Sequence, residues 1–213
     1  CNLRFHKSIK KIKELISNNE IGKVITVHAE NGSYLPDWHP NENYLDGYAA
    51  RKNLGGGVVL TCIHEIDYLY WLFGDVKETI SISGKFSDLK ITAEDMSSII
   101  MRFKNKIISE IHLDYFQRPS TRNCKIIGTK GTIIWDSKNN NVMMYNIKNK
   151  KWSIKFKVKS HNDNLMYKDE IHHYIACVKK RQKSINPINE GIETLKIALA
   201  IIKSSKTKKM EKP

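Results

Sequence analysis

The stretch that decides the fold runs from Leu54 to Gly74, LGGGVVLTCIHEIDYLYWLFG. Val58, Val59, Cys62, Ile63, Ile66, Leu69, Tyr70 and Phe73 recur at helical spacing, which predicts an amphipathic helix over 55–73 with one broad buried side. Thr61, His64 and Asp67 stand three residues apart and share another side. The glycines before the helix let another backbone or a ligand approach closely. An imidazole is thus held on a rigid element beside a backbone gap, the placement that proton transfer requires. The same spacing also suits a histidine satisfied inside the core.

Working outward, residues 7–18 read as a helix, with Ile9, Ile12, Leu15 and Ile16 as its stripe. A strand follows at 23–30, with Ile25, Val27 and Ala29 on one side and Thr26, His28 and Glu30 on the other. Residues 31–54 have no clear period but hold Tyr34, Trp38, His39, Tyr44, Tyr48 and Arg51. Disordered segments are poor in aromatics, so this reads as an ordered loop lining a pocket. Beyond Gly74 the period changes to two. Ile80, Ile82 and Phe86 alternate with Ser81, Ser83 and Lys85, and Ile111, Leu113 and Tyr115 with Glu110, His112 and Asp114. Further strands are predicted at 97–103, 123–128, 132–136, 142–147 and 152–158, joined by turns such as Gly128-Thr129-Lys130-Gly131. Two helices, 164–181 and 190–204, close the chain. This order predicts a single α+β domain over 1–213, a large, predominantly antiparallel, open-faced sheet with helices on one face.

The net charge of +14 raises a nucleic-acid reading. Its distribution argues against one. Residues 1–110 carry 14 basic and 14 acidic side chains; residues 111–213 carry 22 and 8. Much of the excess is lysine alternating with apolar residues, as at Lys151, Lys155, Lys157 and Lys159, which suits a solvated strand face or a protected sheet edge. Arginine, the usual bidentate reader of phosphates and bases, is scarce. Cys1, Cys62, Cys124 and Cys177 form no C-x-x-C pair, which predicts a reducing, cytoplasmic setting with neither a disulfide framework nor a metal site. The longest apolar runs are too short to span a bilayer. No G-x-G-x-x-G follows a strand and no Walker-type loop is present; Val58, Val59 and Leu60 follow the glycine run where the fingerprint's third glycine would fall. Any nucleotide-binding domain is therefore expected outside this chain.

Three segments resemble one family. The opening CNLRFHKSIKKIKELISNNEIGKV is similar to the N-x-R-F…G-x-I-G-x-V start of the C-terminal domain in the Gfo/Idh/MocA oxidoreductases, the glucose–fructose oxidoreductase and inositol dehydrogenase group. GGGVVLTCIHEIDYLYWLFGDV resembles its G-G-G…D…H-x-x-D…L-x-G segment, and IIGTKGTIIWD its G-T-x-G hairpin. The resemblance implies an NAD- or NADP-dependent enzyme acting on a hydroxyl carbon of a sugar, nucleotide-sugar or polyol, with this chain as the substrate-binding and oligomerisation half, inactive alone. It implies that His64 accepts the hydroxyl proton with Thr61 beside it, that Arg51, Tyr48, Trp38 and His39 contact substrate, and that Asn2 and Arg4, which follow the interdomain crossover, bind the cofactor. It also implies a homodimer, or a tetramer, formed through the open sheet face.

Two positions depart from the family pattern. Thr61 stands where many members carry an aspartate, and the Glu-Lys-Pro motif that normally precedes this domain occurs only as Glu211-Lys212-Pro213, at the opposite end. The rival reading is a non-enzymatic binding or assembly module that keeps the fold.

Overall fold

The computed structural model describes residues 1–139, 141–157 and 164–213. Eight strands form one sheet: β1 (Val24–Gly32), β2 (Val76–Gly84), β3 (Met96–Phe103), β4 (Ile108–Asp114), β5 (Thr121–Gly128), β6 (Gly131–Asp136), β7 (Asn141–Asn146) and β8 (Lys151–Lys157). Their order is β2-β3-β4-β1-β5-β6-β7-β8. Short turns keep sequential strands antiparallel. The exception is β1, which comes from before both halves and enters between β4, to which it is parallel, and β5, to which it is antiparallel. Val158 and Lys159, assigned above to the last strand and its lysine run, lie outside the described residues.

Among the described residues, α1 (Lys7–Ser17), α2 (Val58–Thr61), α3 (His64–Phe73) and, further on, α5 (Ile188–Thr207) lie against one face of the sheet, while α4 (Asn164–Lys180) packs on the Asn2–Phe5 turn. The single helix predicted over 55–73 is therefore two. Its first part is rich in β-branched residues (Val58, Val59, Thr61, Ile63), which crowd a helix interior, and the chain breaks at Cys62 and Ile63 before restarting at His64. Ile25 departs from its predicted side as well. The β1–β5 register shifts between Val24 and Thr26, so Val24 takes the buried place and Ile25 is exposed.

Alternation along β2 puts its hydroxyls under the helices and its isoleucines outside. Ser81 is buried; its amide donates to Ser204 Oγ at 3.1 Å and its hydroxyl to the Ile201 carbonyl at 2.6 Å, so the serine side lies against α5. Ile82 is left 67% exposed, and Ile100 on β3 is 47% exposed. With His28, Glu30, Glu110 and His112 they line a hollow of about 560 Å³ on the sheet face opposite the helices. Glu211-Lys212-Pro213 clips onto β2 instead of approaching His64. The Thr79 amide donates to the Glu211 carbonyl at 2.8 Å and the Glu211 amide donates back at 2.9 Å.

Candidate functional site

On the helix side, the C-terminal end of β1, the N-terminal end of β5 and the C-terminal end of β6 open into a cavity of about 730 Å³, a volume suited to a small ligand. Asn31, Ser33, Thr121, Arg122 and Trp135 form its floor, Trp38 one wall, and His6, Met166 and Tyr167 its rim. The pleat explains the floor. Cys124 and Ile126 are buried beneath the helices, so Arg122, two residues before Cys124, shares their side of β5. Asn31 lies opposite Arg122 in the β1–β5 register. Trp38 is fixed by a 2.8 Å hydrogen bond from its Nε1 to Ser33 Oγ and by an edge contact with the Tyr115 ring at 5.4 Å.

His64 opens α3, near enough to Arg122 on the floor to feel its charge, but is not itself among the residues lining the cavity. Its Nδ1 is buried and makes no hydrogen bond. Burial, with the nearby Arg122 guanidinium adding to it, depresses the imidazole to about 4, so it is neutral throughout the physiological range. Glu65, the next residue, is wholly buried, and its Oε1 lies 2.8 Å from Arg122 Nε. The Nε–H does not point along that contact, and neither Glu65 oxygen accepts a hydrogen bond. Burial raises the Glu65 carboxyl, and Arg122 opposes the rise. The Thr61 hydroxyl neighbours the phenol of the buried Tyr115, and neither makes a well-formed hydrogen bond.

The other predicted site residues are dispersed. Trp38 shares the cavity with Arg122, whereas His39 and Tyr48 are exposed on the loop. Arg51 is held by that loop's own atoms, donating from Nε to the Leu45 carbonyl at 2.8 Å and from Nη2 to Asp46 at 3.0 Å. Arg4 needs a correction. It is completely buried, grips Asp67 through Nε and Nη2, and donates from Nη1 to Glu190 and to the Ile185 carbonyl. All three nitrogens are engaged inside the domain, so Arg4 presents none of them to a cofactor. Asn2 is half-buried, with an Oδ1 that has no partner.

The glycine run is not a phosphate cradle either. The amides of Gly55, Gly56 and Gly57 donate to the carbonyls of Lys52, Arg51 and Ala49, and that of Val58 to Glu94. A pyrophosphate would find no free N–H there. The glycine run therefore does not fit the dinucleotide's phosphates. The cavity floor, with Arg122, Asn31 and Ser33, fits a small polar ligand. Arg122, Asn31, Ser33 and Trp135 were absent from the sequence-based site, although the alternation of Arg122 with Cys124 and Ile126 marks its side of the strand.

The profile of the oxidoreductase family's C-terminal alpha/beta domain matches residues 13–212. The chain belongs to this family, the Gfo/Idh/MocA oxidoreductases. It is 28% identical over 143 residues to an uncharacterized oxidoreductase of Streptococcus pneumoniae serotype 4, covering 63% of this chain and 36% of that protein. It is 25% identical over 133 residues to inositol 2-dehydrogenase of Salmonella typhimurium, covering 60% of this chain and 35% of that enzyme. The matches thus span little more than a third of these relatives. An oxidoreductase from Agrobacterium radiobacter, solved with NAD+, L-tartaric acid and magnesium, shares the fold with a TM-score of 0.81 at 17% identity, over 99% of this chain and 63% of that one. No described helix is long and apolar enough to cross a membrane.

Proposed function

We propose that this chain is the substrate-binding and oligomerisation half of a nicotinamide-dependent oxidoreductase acting on a hydroxyl carbon of a sugar or polyol. The observation that carries the reading is the pairing of His64, whose buried Nδ1 makes no hydrogen bond, with Arg122, which lines a ligand-sized cavity and whose charge acts on that imidazole. Membership of the family supports the reaction class. A nicotinamide dinucleotide would supply the hydride acceptor and be held by another domain, which Asn2 would face. This chain's part is to seat the polyol against Trp38, exclude water, and take the hydroxyl proton on His64. Thr61 carries no charge and cannot raise His64 basicity as a carboxylate would. Its role is to orient a ligand hydroxyl, together with Tyr115. The outward isoleucines of β2 and β3 would be covered by a second copy of the chain in a closed two-fold pair.

The test is His64→Asn in the protein assembled with its cofactor domain. The expected loss in the chemical step is about a hundredfold or more, the usual worth of a positioned general base. Turnover close to wild type on the true substrate would return His64 to the core. Thr61 also favours a second reading, a binding module without catalysis. That reading predicts tight ligand binding with no hydride transfer in the same assay.

A further inference from the structure

Arg122 is a cation whose bonding is half-spent. A guanidinium offers five N–H donors on two edges, in a fork matched to a carboxylate. Its Nε edge abuts Glu65, from which it is misaligned. Its terminal nitrogens donate to no described residue. The side chain is 26% exposed, and the space it meets is the cavity it lines.

The walls share one bias. Among the described residues, the cavity lining contains Arg122 and Lys138 and not one carboxylate. Asn31, across the register from Arg122, adds an amide, and Trp38 adds an apolar face against which a sugar ring can rest. A neutral polyol could accept from Arg122, but it offers no pair of parallel acceptors for the terminal edge of the fork that Glu65, already beside Nε, leaves open. A carboxylate satisfies both the geometry and the charge.

We propose that Arg122 reads a carboxylate on the substrate, so that the ligand is a sugar acid, its anionic end on Arg122 and its reacting hydroxyl toward His64. Glu65 fixes the near edge of the guanidinium and leaves the far edge to the ligand. The proposal rests on the reading of this cavity as the substrate site and narrows the substrate class within it.

The test is ligand binding to the full chain, followed by tryptophan fluorescence and calorimetry at fixed ionic strength. Trp38 and Trp135 report from the cavity itself. The probes are D-glucuronate, D-gluconate, D-glucose, myo-inositol and D-glucose 6-phosphate. At least one sugar acid should bind tenfold or more tighter than its neutral counterpart. Arg122→Gln should erase that preference, bringing the acid and its neutral counterpart to within twofold of each other; Arg122→Lys, which keeps a cation beside Glu65, should retain part of it. Equal affinities, a preference that survives Arg122→Gln, or a preference for the phosphate over both acids would overturn the proposal. The wild-type comparison decides it even if the glutamine variant is unstable. Neutral sugars that perturb the tryptophans with no preference for acids would sink this proposal alone. Failure of every probe to perturb them would sink the substrate-site reading as well.

Discussion

Arg4 and Asp67 stand 63 positions apart in the chain and meet as a bidentate ion pair with both side chains fully buried, Nε to Oδ2 at 2.9 Å and Nη2 to Oδ1 at 2.8 Å. Thr194 on α5 donates to the same carboxylate at 3.1 Å, so three distant segments share one charge centre. Removing Arg4 strands the Asp67 charge in the interior, and removing Asp67 leaves Arg4 with Glu190 as its remaining counter-ion. Arg4→Met or Asp67→Asn should therefore destabilise the domain by roughly 3–5 kcal/mol. Urea unfolding followed by circular dichroism measures it; a loss below 1 kcal/mol would mean that the pair is well solvated.

His64 gives stability a pH dependence of defined sign. Its folded-state value, about 4, lies below the ordinary 6.5. As pH falls through 6.5 the unfolded chain takes up a proton that the folded chain refuses, so stability falls between 6.5 and about 4 and this contribution is flat outside that window. The full effect is at most about 3 kcal/mol. His64→Gln should flatten that part of the curve. The His64 resonance in an NMR titration should show a midpoint near 4; one at 6.5 or above would contradict the burial described.

Neighbouring glycines should respond very differently to alanine. At Gly56 a Cβ would stand 2.1 Å from the Tyr48 carbonyl oxygen, and at Gly57, where φ is +108°, 2.3 Å from a Glu94 carboxylate oxygen. At Gly55, with φ +78°, nothing lies within 4 Å. Gly55→Ala should cost about 1 kcal/mol through backbone strain alone, whereas Gly56→Ala forces two backbones apart and should cost several times more. Equal melting temperatures for the two variants would refute the close packing at Gly56.

The outward isoleucines predict assembly. The chain should run as a dimer in light scattering at micromolar concentration, and Ile82→Lys with Ile100→Glu should convert it to a monomer while sugar binding is kept. A wild-type monomer mass would remove the sheet face as an interface.

The layering of this domain is legible in the sequence because the period of two and the period of 3.6 are both strong. Which side of a strand is buried is less so. Along β2 the isoleucines look like the core side, yet small hydroxyls were needed where α5 approaches, and Ser81 and Ser83 bond that helix instead. Where a residue type announces its chemistry, as at His64 and Trp38, the sequence names a candidate; the structure puts Trp38 in the cavity wall and His64 at the start of α3. Arg122 stayed hidden because an arginine on an alternating strand reads as solvent-facing until its buried partner Glu65, 57 residues earlier, is placed beside it. Asp67 was misleading for the converse reason. Its helical spacing groups it with Thr61 and His64, but the distant Arg4 claims it.

The place of β1 governs how this molecule comes apart. Strands β2 to β4 and β5 to β8 are two meanders, each zipped by neighbours in sequence. They are joined only through β1, whose Thr26 pairs with Ile108 on one flank and whose Thr26 and Val27 pair with Ile127 and Ile126 on the other. Such distant pairings close last, because long loops must be ordered before they are rewarded. The seam runs directly beneath the ligand floor, since Asn31 and Arg122 are one of its rungs. Anything bound there grips both halves at once, so occupancy should brace the joint most prone to part, and amide exchange along β1 should slow when the cavity is filled.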